Sequence, residues 1–291
     1  MDTHHTTQAS PDGHHRQAGD PAQPSQPSQP RFVEDETGAT MDSGAAVCRF
    51  NPARGGRLER WQWRVVPPAE AGSPQARHQG PGLIELVDPS GGALVDHFFP
   101  LGTRPQEVEE GAQREFGDFV EGSFRSQVVD SGGEIRIGLL RDGEIRAGKR
   151  VAEVRMAKSA AIRPGAADVS ALYRVINSSI RPLQILFAVE FNLYAPGLGS
   201  SPEMDPDGYF LIDGVRPDDP SLSSPGVSPN ATHVALVNPA GEMALQLGWD
   251  RESDLWRIPL ARGNTVRLFS VWRIMLPPRD NWAMGLWMAP G

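Results

Sequence analysis

The chain has 291 residues, of which 39% are hydrophobic, and it carries a formal net charge of −8 at pH 7. This length fits two average domains or one large β domain, and the acidic balance argues against a nucleic-acid partner, which selects a basic face. The single cysteine, Cys48, excludes an intramolecular disulfide and a cysteine-based metal site. No apolar run has the length of a signal-peptide core or of a membrane span, so we expect a cytoplasmic protein without membrane contact.

The chain begins with a segment rich in His, Pro, Gln and Ser that predicts disorder. Residues 1–32 end in PAQPSQPSQP and have too little apolar surface to offset the entropy of ordering. We therefore expect a disordered tail over residues 1–32 and a single β-sandwich domain over residues 33–291. Within that domain, the stretch PPAEAGSPQARHQGPG, residues 67–82, predicts a long surface loop.

The remainder of the chain consists of short apolar or alternating runs that predict β-strands. Turns rich in Gly, Asp and Asn separate them, for example DPSGG, DSGGE and RDGE. Only PQEVEEGAQREF, residues 105–116, has a helical pattern. About a dozen strands without intervening helices predict an all-β fold, a large antiparallel supersandwich.

In GGALVDHFFP, residues 91–100, an acid and a histidine stand side by side and resemble half of an acid–base site. Because side chains alternate along a strand, His97 shares its face with Val95 and Phe99, whereas Asp96 shares the other face with Leu94 and Phe98. We therefore interpret the pair as structural, with the two side chains on opposite faces of the sheet.

A lysine falls on the apolar face of the predicted strand VAEVRMAKSAAI. Lys158 there either extends to the edge of the sheet or is buried against a carboxylate. Asp96, Asp118 and Glu190 are its candidate partners, and an ion pair with a structural role is favoured over a catalytic amine.

The strand LQILFAVEFNLY has one apolar and one polar face. Its core face comprises Ile185, Phe187, Val189, Phe191 and Leu193. Glu190 and Asn192 lie on the other face, which is either a surface that reads sugar hydroxyls or an ordinary solvated face.

Two further patterns have a functional and a structural interpretation. Trp61 and Trp63 share a strand face and form either a stacking platform for sugar rings or, as we favour, part of the core. Asp205 and Asp207 lie in an acidic loop that lacks the spacing of a calcium-binding loop, so we expect no metal and no cofactor. None of the standard catalytic motifs is found.

Six segments in this order resemble the C-terminal β-sandwich domain of α-amylases and 4-α-glucanotransferases of glycoside hydrolase family fifty-seven. They are GGRLERWQW (55–63), DHFFP (96–100), REFGDFVEGSF (114–124), VRMAKSAAI (154–162), ALYRVIN (171–177) and FAVEFNLYAPG (187–197). The resemblance covers residues 45–275 and implies a galactose-mutarotase-like supersandwich, a fold associated with carbohydrate binding. In that family the catalytic carboxylates belong to an N-terminal barrel, and no residue of this chain matches either of them.

The resemblance implies a non-catalytic module that binds an α-glucan or oligosaccharide, or that docks onto a separate catalytic subunit. Its candidate site residues, as a polar cluster that touches sugar or holds the sandwich together, are Asp96, His97, Asp118, Lys158, Glu190 and Asn192. Two alternatives remain: a mutarotase-like enzyme with His97 and Glu190 as acid and base, and a purely structural or assembly module.

Overall fold

The computed structural model describes residues 31–65, 82–88, 90–112, 115–147, 149–194, 208–222, 224–237, 243–259 and 265–291. The predicted tail of residues 1–32 lies outside this part of the chain, except for Arg31 and Phe32, which begin the first strand. The predicted loop of residues 67–82 is likewise outside it, except for Gly82. Asp205 and Asp207, the candidate calcium ligands, also lie outside the described residues.

The described residues form sixteen strands and one short helix, which confirms the predicted all-β fold. The first eight strands are β1 (Arg31–Asp35), β2 (Gly38–Asp42), β3 (Ala46–Asn51), β4 (Arg57–Val65), β5 (Gly82–Glu85), β6 (Ala93–Phe99), β7 (Arg125–Asp130) and β8 (Ile135–Ala147). The other eight are β9 (Arg150–Ile162), β10 (Val169–Asn177), β11 (Leu183–Tyr194), β12 (Tyr209–Ile212), β13 (Gly226–Val237), β14 (Met243–Pro259), β15 (Thr265–Leu276) and β16 (Asn281–Pro290). The helix, α1, spans Pro105–Glu109 between β6 and β7.

Thirteen strands follow one another in an antiparallel sheet in the order β1-β2-β3-β4-β6-β11-β15-β14-β16-β10-β9-β8-β7, and the other three join it at its sides, with β5 paired to β4, β13 to β14 and β12 to β13. Strand β14 makes the corner, because its residues 254–259 pair with β15 and its residues 245–249 pair with β16. The sheet curls back on itself there and forms two packed layers. We call β2, β3, β4, β6, β11 and β15 the first layer and β7, β8, β9, β10 and β16 the second layer.

The core lies between the two layers and follows the alternation of the sequence. All five apolar residues predicted for the core face of β11 are buried. Trp61 is also fully buried, and its indole N–H donates to the Ala167 carbonyl at 3.0 Å, while the half-buried Trp63 packs against the same core. The two tryptophans therefore belong to the core and not to an exposed platform.

A second, smaller apolar cluster covers the outer face of the first layer beneath helix α1. It contains Phe99, Val108, Leu186, Ala188, Trp256, Ile258, Phe269 and Val271. The helix begins with Pro105, and the Arg104 N–H donates to the Glu107 carboxylate at 2.8 Å, which ties down its first turn. In the described part of the chain, no helix has the length and apolar character needed to cross a membrane.

Candidate functional site

Asp96 and Lys158 form a buried ion pair between the two layers, which we call the inner pair. The Lys158 Nζ donates to Asp96 Oδ2 at 2.6 Å and to the carbonyls of Gly55 and Leu94 at 3.0 and 2.8 Å. All three ammonium protons thus have partners, although both side chains are almost fully buried. Of the three candidate partners of Lys158, the structure brings Asp96 to it.

The backbone around the inner pair is shaped to accept the ammonium group. Leu94 and Gly55 both have positive φ, 59° and 65°, and their carbonyls are the two that Lys158 binds. Leu94 is the extra residue of a β-bulge, because Val95 pairs with Glu190 whereas Ala93 pairs with Phe191. The bulge aims the Leu94 carbonyl inward and so gives Lys158 a third acceptor.

Burial pushes both members of the inner pair toward their neutral forms. It raises the pKa of Asp96 and lowers the pKa of Lys158, and the attraction between the two groups opposes both shifts. The buried Tyr173 hydroxyl interacts with the Asp96 carboxylate and, like Lys158, opposes the effect of burial on the pKa of Asp96. Removing one member of such a buried pair leaves the other as an uncompensated charge.

His97 lies on the opposite face of β6, in a network with Glu115, Glu190, Asn192 and Arg267 that we call the outer network. The imidazole lies 2.9 Å from Glu115 Oε2 through Nδ1 and 2.7 Å from Glu190 Oε2 through Nε2. The other Glu190 oxygen accepts hydrogen bonds from Arg267 Nε at 2.6 Å and from Asn192 Nδ2 at 3.1 Å. The ring also stacks on Phe99, with ring centroids 5.1 Å apart.

The outer network holds its charges in fixed states. Burial alone would lower the pKa of His97, but the hydrogen bonds and charges of Glu115 and Glu190 outweigh it and raise that pKa to about 9. Burial would raise the pKa of Glu190, but His97 and Arg267 lower it to about 2. At neutral pH both imidazole nitrogens are therefore protonated and donate to the two carboxylates, and the two cations balance the two anions.

The polar face of β11 is not at the surface, so the expectation of an ordinary solvated face is wrong, whereas contact of this face with sugar hydroxyls stays a prediction. Glu190 and Asn192 are 7% and 4% exposed. The Asn192 amide also donates to the Gly92 carbonyl at 2.9 Å and locks the turn before β6. Burial of these polar groups is tolerated because each has partners.

Asp118 is separate from both clusters. Its carboxylate accepts hydrogen bonds from the Arg141 guanidinium and, at 3.0 Å, from the Glu144 N–H, and it is half exposed. The six residues predicted as one polar cluster are thus distributed over the inner pair, the outer network and this surface ion pair. No group of three or more His, Cys, Asp or Glu residues that would hold a metal ion is found in the described ranges.

The sequence does not single out three charged residues as site candidates, namely Glu115 and Arg267 of the outer network and Arg57, which lies outside both clusters. Glu115 accepts the N–H groups of Phe98 and Gly117 through its second oxygen, and Arg267 covers the ring of Phe269 at 4.8 Å. Arg57 is buried and donates to the carbonyls of Gly91 and Val120. Charged residues at the start of a strand or in a loop are usually solvated, so nothing in the local pattern identifies them.

The curled, two-layered antiparallel sheet is a supersandwich with the galactose-mutarotase-like fold. Residues 91–265 match the family model described as alpha-amylase/4-alpha-glucanotransferase, C-terminal. The chain belongs to this family. A search of curated protein sequences finds no match.

Solved structures with a similar fold include an enzyme and a mutarotase-like protein. The 4-alpha-glucanotransferase from Thermococcus litoralis superposes with a TM-score of 0.60 at 16% identity over 90% of this chain, which spans 39% of that enzyme's chain. A galactose mutarotase-like protein from Clostridium acetobutylicum gives a TM-score of 0.50 at 10% identity, over 90% of this chain and 99% of that one. Identities this low show a common fold.

Proposed function

We propose that this chain is a non-catalytic, carbohydrate-associated β-sandwich that binds α-glucan. Two findings support an association with carbohydrate: the chain belongs to a family of C-terminal domains of α-amylases and 4-α-glucanotransferases, and it has the mutarotase-like fold. The observation that supports binding without catalysis is the state of His97 and Glu190 in the outer network.

His97 and Glu190 are the two residues that a mutarotase-like reaction would use as acid and base. General acid–base catalysis is efficient when the pKa lies near the working pH and the group reaches the substrate. Here the pKa of His97 is about 9 and that of Glu190 about 2, and both side chains are buried and hydrogen-bonded. The arrangement holds the first layer together and leaves neither group free to exchange a proton with a ligand.

One observation favours a second role, docking onto a separate catalytic subunit. The family model describes the C-terminal part of alpha-amylases and 4-alpha-glucanotransferases, so a catalytic domain of that class is the partner we propose. Such docking would produce a stable complex in size-exclusion chromatography when the chain is mixed with a purified catalytic subunit of the 4-α-glucanotransferase class.

Affinity gel electrophoresis of the full chain in amylose- or glycogen-containing gels tests the proposal, with serum albumin as the non-binding reference. Products from maltooligosaccharides and the mutarotation of freshly dissolved galactose are measured in parallel. We expect retardation in the glucan gels and no turnover. Turnover that Glu190→Gln abolishes contradicts the non-catalytic assignment, and unchanged mobility contradicts glucan binding.

A further inference from the structure

A groove of about 770 Å³ crosses the outer face of the second layer, and Lys158 of the inner pair is among the residues that line it. Its size falls within the range of small-molecule sites, roughly 300–1,000 Å³. The side chains that line it and carry the argument are Arg125, Gln127, Ser159, Leu172, Arg174 and Asp250.

The register of the strands creates the groove. One row across the layer runs through Gln127, Gly138, Ser159, Leu172 and Gly285, each paired with the next on the neighbouring strand. The adjacent row runs in the same way through Arg125, Leu140, Ala157, Arg174 and Ala283. Small side chains on β9 and β16 form two parts of the floor, and the longer Leu172 and Arg174 of β10 rise between them. With strands 4.7–4.9 Å apart, the five strands together span roughly 19 Å.

Three polar side chains in the groove have no hydrogen-bond or ion-pair partner in the described part of the chain. Gln127, Arg174 and Asp250 are exposed, and none makes a side-chain hydrogen bond or ion pair with another residue in the described ranges. An amide, a guanidinium and a carboxylate together supply planar donors and acceptors that match neighbouring hydroxyl groups. Leu172, which is 54% exposed beside them, offers an apolar surface for the C–H face of a sugar ring.

The charges of the groove favour an uncharged ligand over an anion. Arg125 is paired with Asp142 at 3.2 Å, and Arg251 donates through Nε to the Ala283 carbonyl. Lys158, which also lines the groove, is paired with Asp96, and Arg174 shares the groove with the Asp250 carboxylate. An anionic ligand would meet that carboxylate and the net negative charge of the chain, whereas a polyhydroxyl chain meets neither penalty.

We propose that this groove is the α-glucan-binding site, an inference that rests on the proposed function. Gln127, Arg174 and Asp250 hydrogen-bond the sugar hydroxyls, and Leu172 packs against a ring. The site lies on a different layer from His97 and Glu190, so binding and the outer network are independent.

Isothermal titration with maltoheptaose and migration in amylose gels test this site on the full chain. The variants Arg174→Ala and Asp250→Ala each remove one charged hydrogen-bonding group, and we expect each to weaken binding roughly tenfold. Ala157→Trp fills the floor without removing a polar group and should abolish binding. Arg150→Ala is the matched control, because Arg150 is an exposed arginine at the β8–β9 turn without a side-chain partner in the described part of the chain.

The two proposals fail in different ways. If the wild-type chain binds neither maltoheptaose nor amylose, the proposed function is overturned and the groove with it. If the wild type binds and the three groove variants bind equally well, with melting temperatures equal to that of the wild type, only the groove is overturned. If Arg150→Ala weakens binding as much as Arg174→Ala, the effect is one of overall charge and the groove is again overturned.

Discussion

At the level of single residues, His97 is held as a cation between Glu115 and Glu190, and this state makes stability depend on pH. Its pKa of about 9 in the folded chain lies above the ordinary 6.5. The stabilisation is therefore complete below pH 6.5 and is lost as pH rises from 6.5 to 9, with a loss on the order of 3 kcal/mol. We expect the free energy of unfolding, measured by urea titration at each pH, to fall over this interval.

The variant His97→Gln shows whether this slope belongs to His97. It should be less stable than the wild type at pH 6.5 and lack the slope between pH 6.5 and 9. His233→Gln is the matched control and should keep the slope, because among the described residues His233 contacts the Gln246 amide and no carboxylate. A slope that survives in His97→Gln would show that the outer network is not the titrating unit.

The sequence predicts where these side chains point but not which partners they meet. Alternation along β6 correctly separates Asp96 from His97, because both faces of the strand are buried and the register is tightly constrained. Lys158 had three candidate partners, and only the packing of the two layers selects Asp96. Glu115 and Arg267 reach His97 and Glu190 from distant parts of the chain, so no local pattern identifies them.

At the level of elements, α1 depends on its contact with the sheet. A five-residue helix is unstable alone, and its buried residue, Val108, packs into the cluster that contains Trp256 and Phe269. Val108→Asp places a carboxylate in this cluster and should cost at least about 2 kcal/mol of unfolding free energy. Faster hydrogen exchange of the β14 and β15 amides beneath the helix should accompany this loss.

A Val→Asp substitution at an exposed position shows whether the loss of unfolding free energy comes from burying the carboxylate or from its charge. Val151 is 51% exposed at the start of β9, and Val151→Asp should change the unfolding free energy by no more than about 0.5 kcal/mol. Equal losses in both variants would mean that α1 does not protect the cluster.

Strand positions follow from the sequence more readily than the path of the sheet. Alternating runs locate β8 to β11, because these strands bury one or both faces in regular order. The prediction of a turn at RDGE, residues 141–144, is wrong: these residues lie within β8 and pair with β9. The bulge at Leu94 and the corner in β14 cannot be recognised from the alternation of apolar residues. Each arises from the way in which one strand pairs with its neighbours in the sheet. The helical pattern of residues 105–116 is realised only over Pro105–Glu109.

At the level of the whole molecule, the inner pair couples the two layers. Lys158 extends from β9 in the second layer and binds Gly55, Leu94 and Asp96, all in or beside strands of the first. Asp96→Ala leaves the Lys158 ammonium group buried without its counter-ion. Lys158→Met leaves the Asp96 carboxylate buried without its counter-ion. Each variant should lose about 3–5 kcal/mol, and the double variant should lose less than the sum of the two.

Hydrogen exchange shows whether this loss spreads across the fold. Because the pair connects β6 to β9, Asp96→Ala should speed exchange in both layers, in β3 to β6 and in β8 to β10. Asp118→Ala is the matched control, since it removes a half-exposed carboxylate that bonds Arg141 and Glu144 at the surface, and it should change exchange only near that contact. Faster exchange confined to the first layer in Asp96→Ala would mean that the apolar core alone holds the layers together and that the inner pair only orders the Gly55 turn and the Leu94 bulge.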